Sequence, residues 1–78
     1  MFTDLQLDLA ATVLERCRGL GIRLATAESC TGGLIGGCLT AIAGSSDVFS
    51  CGFITYRNKE KNRMLEVPRD LLDTEGAV

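Results

Sequence analysis

The run from Ile22 to Ala27 passes straight into Glu28-Ser29-Cys30-Thr31-Gly32-Gly33, and this junction constrains the fold more than any other stretch. Its first part alternates little between apolar and polar, the pattern of a short buried parallel strand. Its second part is a polar turn that opens a helix on paired glycines. The unpaired N–H groups at a helix start form an anion site, and a hydroxyl there can face a ligand. That geometry suits a serine nucleophile, a phosphate cradle, or both.

The remaining elements follow from periodicity. Thr3 or Asp4 caps a helix over Leu5–Arg18, whose apolar face is Leu9, Ala10, Val13, Leu14 and Cys17. Gly19 and Gly21 end it. A second helix runs from Gly32 to Ile42. Its Gly32, Gly33, Gly36 and Gly37 each cost about 1 kcal/mol against alanine, which close approach to a sheet or a second helix explains best. Gly44-Ser45-Ser46 reads as a turn or a second anion nest. Val48–Tyr56 forms the second strand, Asn58 caps a helix over Lys59–Leu65, and Pro68 opens a last helical segment through Leu72. A helix joining two strands makes them parallel in a right-handed unit. The expected fold class is therefore α/β, layered α-β-α with a parallel βαβ core. Two strands make a poor sheet, so the 78 residues read as a single partial domain, an incomplete half of a larger one.

Composition excludes several functions. A net charge of −2 lacks the basic face of a nucleic-acid module. No apolar stretch is long enough to span a bilayer, and the N-terminus carries acids where a signal peptide carries bases, so a cytoplasmic location is expected. Cys17, Cys30, Cys38 and Cys51 form no CxxC pair, which removes the usual zinc and redox motifs and leaves four free thiols. Cys17, Cys38 and Cys51 fit small buried hydrophobes. The chain has no histidine, so histidine-based triads and histidine metal ligands are excluded within it.

Any serine chemistry must then use another base, and the only lysines are Lys59 and Lys61. Both follow the second strand, beside the single tyrosine, Tyr56. Parallel strands end at one edge of a sheet, where open α/β folds bind ligands, so Ser29 and Tyr56 converge there. Desolvation or a neighbouring positive charge, such as Arg57 or Arg63, lowers a lysine's pKa so that its neutral amine can act as a base, and Tyr56 can relay a proton. The structural alternative stands beside this one. Ser29 and Thr31 cap a helix, Glu28 is a helix N-terminus acid, Tyr56 is a strand aromatic, and residues 57–63 are a solvated helix face.

Several runs in order resemble one family. They are Leu24-Ala-Thr-Ala-Glu-Ser29-Cys-Thr-Gly-Gly33, Gly44-Ser-Ser46, Gly52-Phe-Ile-Thr-Tyr56, then Asn58, Lys61, Met64-Leu65 and Val67-Pro68. Together they are similar to the C-terminal domain of the CinA (competence/damage-inducible) family, from about Leu5 to Val78. Its members include nicotinamide-nucleotide amidohydrolases.

The resemblance implies hydrolysis of the carboxamide of nicotinamide mononucleotide to nicotinate mononucleotide and ammonia, with no metal and no cofactor. It makes Ser29 the nucleophile, Lys61 the base and Tyr56 a supporting group. Glu28, Thr31, Gly32, Gly33, Gly44, Ser45 and Ser46 are then the substrate-binding residues. The oxyanion and the substrate phosphate are divided between the N–H groups at Thr31–Gly33 and the Gly44–Ser46 loop. The chain corresponds to the N-terminal half of that domain, so its expected partner is a second copy or a chain supplying the other half. The alternative is a non-catalytic remnant acting as a nucleotide-binding or interaction module.

Overall fold

The computed structural model describes residues 1–76. Helix α1 (Asp4–Leu20) starts on Thr3, whose hydroxyl accepts from the Gln6 N–H while the Gln6 side chain accepts from the Thr3 N–H, so both early donors are satisfied. It ends on Gly21 in the left-handed conformation, with Gly21 N–H on the Arg18 carbonyl and Ile22 N–H on the Cys17 carbonyl. Ile22 is thereby spent on closing the helix. Strand β1 (Leu24–Glu28) consequently starts later than the apolar run suggests and reaches one residue further.

Helix α2 (Leu34–Thr40) follows, then a single 3₁₀ turn over Ser45–Asp47, and strand β2 (Phe49–Ile54). Gly32 and Gly33 lie before α2 with positive φ and form the turn rather than the first helical residues. Helix α3 (Asn58–Leu65) takes Asn58 as its first residue, and Arg57 before it supplies no side-chain cap. Glu66, at φ 59°, turns the chain into α4 (Arg69–Glu75), which outruns the expected end at Leu72.

The two strands pair in parallel, from Leu24 opposite Phe49 to Glu28 opposite Ile54. Ser50 is the extra residue of a bulge between the first two pairs, and its hydroxyl accepts from the Arg23 guanidinium at 2.9 Å. The α/β class and the parallel βαβ core are therefore as the sequence predicts. Ala77 and Val78, the last residues of the expected family match, lie outside the described ones.

One small core holds the layers together. Ala10, Leu14 and Cys17 of α1 meet Leu39 of α2 and Val48, with Leu24, Cys38, Ile42 and Phe49 packed at the margin. Leu14 and Val48 are almost fully buried, and burial on that scale stabilises by about 1.5–3 kcal/mol for each such side chain. The rest of the expected α1 face does not enter this core. Leu9 and Val13 remain exposed, as does Leu5 outside that face, and Leu9 and Val13 line a groove of 580 Å³ that also takes in Leu34, Ile35 and Cys38. Cys51 is exposed as well, so it is not the buried hydrophobe its sequence context suggests: it sits mid-strand on sheet surface that no described residue covers. All four thiols are free. Among the described residues no helix is long and apolar enough to cross a membrane.

Candidate active site

Both strands run out at the same edge of the sheet, and the chain beyond each contributes to one cleft. The Thr55 N–H donates to the Glu28 carbonyl at 2.9 Å, extending the ladder one step past β2 and locking the two strand ends together. Ser29 therefore leaves β1 directly beside Thr55. From there α3 and α4 fold over the edge. Ser29, Thr55 and Lys61 line a cleft of 340 Å³ whose opposite wall is apolar, built from Leu65, Val67, Leu71 and Leu72. Lys61 is only 7% exposed although it belongs to a strongly polar helix, because this is the one α3 position turned fully inward.

Glu28 closes the deep side of this arrangement. It is 4% exposed, and its carboxylate reaches across the turn to the start of α2. One oxygen accepts from the Ile35 N–H at 2.9 Å and from the Thr31 hydroxyl at 2.8 Å, and the other accepts from the Gly36 N–H at 2.8 Å. Burial alone pushes the carboxyl pKa up, but hydrogen bonds from Gly36, Ile35, Thr31 and Gly33 outweigh it and hold the group below its ordinary value. Gly36 leaves room for this contact, since a Cβ there would lie a tight 3.3 Å from the carboxylate. The close-approach explanation for the α2 glycines therefore holds at Gly36.

The helix start is thus filled by the chain's own anion. The N–H groups of Cys30, Thr31 and Gly32, by contrast, donate to no other backbone group among the described residues. Cys30 sits at φ 76°, unusual for a residue with a side chain, with its sulfur 3.8 Å from the Ser29 hydroxyl. Ser29 accordingly stands at a tight strand-to-helix turn, followed immediately by N–H donors that no backbone carbonyl engages.

Two sequence expectations are not met in this geometry. Tyr56 is 84% exposed and does not line the cleft, because β2 alternates faces and Thr55 takes the inward place. Gly44, Ser45 and Ser46 lie at the other end of the sheet from Ser29. The helix of a βαβ unit returns the chain to the edge where the first strand began. There the Arg18 guanidinium reaches the Gly44 carbonyl and pairs with Asp47 at 2.6 Å, and Arg23 reaches the Ser46 carbonyl. A five-residue strand, about 15 Å of extended chain, separates this loop from Ser29. Sequence reasoning assigned no site role to Thr55 or to the apolar wall; the strand pairing places Thr55 beside Ser29, and the fold of α3 and α4 brings the wall to the cleft.

With this geometry in place, comparison with known proteins gives the lineage. Residues 6–78 match the family model of the CinA C-terminal domain. The chain belongs to the CinA C-terminal domain family. A CinA-like protein of Synechococcus sp. (strain RCC307) is 56% identical over 70 residues, which are 90% of this chain and 17% of that protein. Another, from Colwellia psychrerythraea, is 49% identical over 70 residues, 90% of this chain and 16% of that protein. Among solved structures, the competence/damage inducible protein CihA of Agrobacterium tumefaciens superposes with a TM-score of 0.95 at 49% identity, covering all of this chain and 47% of that one. The competence damage-inducible protein A of Klebsiella pneumoniae gives 0.84 at 33% identity, over 88% of this chain and 43% of the other. The chain thus spans under a fifth of the curated CinA-like relatives and about half of the solved CinA structures it matches.

Proposed function

We propose that the chain carries the serine–lysine pair of an amidohydrolase acting on the carboxamide of nicotinamide mononucleotide. The observation that supports this most is the meeting of Ser29 and Lys61, 32 residues apart, in one cleft beneath an apolar wall. The Ser29 oxygen attacks the carboxamide carbon while its proton passes to the Lys61 amine. The tetrahedral oxyanion is held by the N–H groups of the Cys30–Gly32 turn. Collapse expels ammonia, which takes its proton from the Lys61 ammonium, and leaves an acyl ester on Ser29. Water, deprotonated by Lys61, cleaves that ester to give nicotinate mononucleotide and restores the serine. No metal or histidine takes part in these steps. The apolar wall of Leu65, Val67, Leu71 and Leu72 suits one face of a flat pyridine ring.

The test is ammonia release from nicotinamide mononucleotide by the purified chain beside Ser29→Ala. Turnover that vanishes in the variant is the expected result. Equal rates in the two proteins would overturn the reading. Absence of turnover in both would leave a module that at most binds nucleotides.

A further inference from the structure

The turn that carries Ser29 contains three residues of positive φ, namely Cys30, Gly32 and Gly33. Such a segment does not hold its own shape, since glycines leave many conformations open and Cys30 is placed where L side chains are disfavoured. The group whose bonds span it is Glu28. Its backbone is pinned to β2 through the Thr55 N–H, while its carboxylate grips the middle of the turn at Thr31 and the far end at Ile35 and Gly36. These contacts bridge the strand end, the turn and the helix start in one residue. Glu28 lines the same cleft as Ser29, and its carboxylate is engaged by these three donors.

Resting on the reading of Ser29 as nucleophile, we propose that Glu28 is its positioning residue. Its carboxylate clamps residues 29–33 so that the Ser29 hydroxyl faces the cleft and the N–H groups of Cys30–Gly32 stay available for the oxyanion. Glu28 touches neither the substrate nor the transferred proton. A purely structural acid would protect the whole fold evenly; the clamp adds to global stability but holds this turn most of all.

The experiment compares wild type, Glu28→Gln and Thr31→Val by amide hydrogen exchange and by Ser29-dependent ammonia release. Glu28→Gln keeps a carbonyl acceptor but loses the charge and one acceptor oxygen. Thr31→Val removes a single donor and leaves the carboxylate in place. In Glu28→Gln the amides of Ile35 and Gly36 should exchange about tenfold faster, as the weakening of one charged hydrogen bond implies. Those of Leu14 and Cys17 in α1 should lose clearly less protection. Misplacing the nucleophile should cut kcat by about a hundredfold with little change in KM, and Thr31→Val should lose less in the same direction. Protection lost equally in α1 and α2, or an unchanged kcat beside faster exchange, overturns the proposal. A wild-type chain that releases no ammonia refutes the amidohydrolase reading instead. In that event the exchange arm still decides the clamp: unchanged protection at Ile35 and Gly36 overturns it, and a local loss supports it.

Discussion

The Glu28 carboxylate accepts the Gly36 N–H at 2.8 Å, so a side chain at the end of β1 occupies the start of the helix that follows it. This contact bridges the turn between them and engages the Ile35 and Gly36 N–H groups at the start of α2. It also carries a pH dependence of definite sign.

Because the folded Glu28 carboxyl lies below its ordinary value of 4.5, the ionised form stabilises the fold above that pH. The contribution is lost as pH falls through the lower, folded value. Asp47 acts with the same sign, its carboxyl held down by the hydrogen bond from Arg18. Urea midpoints should therefore stay level from neutral pH to about pH 5 and fall below about pH 4. Glu28→Gln should flatten that acid limb in part and leave the contribution of Asp47. An acid limb as steep as in the wild type would contradict this account.

Lys61 as a base rather than a fixed charge predicts a severe effect of Lys61→Arg. A guanidinium keeps the positive charge but does not give up its proton in proteins. Ammonia release should drop by about 10²–10⁴-fold, the range of general base catalysis, with the circular dichroism spectrum unchanged. Retained activity in Lys61→Arg would make the charge, not the base, the useful property.

Thr26 has a buried hydroxyl oxygen that finds no partner among the described residues. It also crowds Gly52, where an added Cβ would come within 2.8 Å of it. Thr26→Val removes the unsatisfied oxygen at nearly constant shape and should raise stability by about 1 kcal/mol. Gly52→Ala should lower it by about 1–3 kcal/mol through overpacking. Urea denaturation of the two variants checks both signs.

The α1 side of the molecule leaves Leu5, Leu9, Val13, Leu34 and Ile35 exposed in and around one groove. Contiguous apolar surface of this kind favours association, and a second copy of the chain is the expected partner. Sedimentation velocity should show mass rising with concentration, and Leu9→Lys should shift the distribution toward monomer. A wild-type chain that stays monomeric at high concentration would rule this out.

The local elements were readable because their causes are local. Helical periodicity, the Thr3 cap and the Gly21 stop define α1, and the run into Glu28-Ser29 places a serine where a strand becomes a helix. The parallel order of β1 and β2 follows from the single helix between them. The α/β class and the candidate nucleophile were thus determined by the sequence itself. What depended on register and on contacts between distant segments was decided only by the tertiary structure. Thr55, not Tyr56, fills the inward place at the end of β2, since Glu28 pairs with Ile54 and alternation does the rest. Lys61 is buried against the strand edge because α4 folds back through Glu66, placing Leu72 and Lys61 around the same cleft. The Gly44–Ser46 loop closes the opposite edge because the crossover helix must return there. The Glu28 carboxylate reaches the start of α2 because burying a carboxylate requires donors, and the α2 N–H groups are the ones within reach.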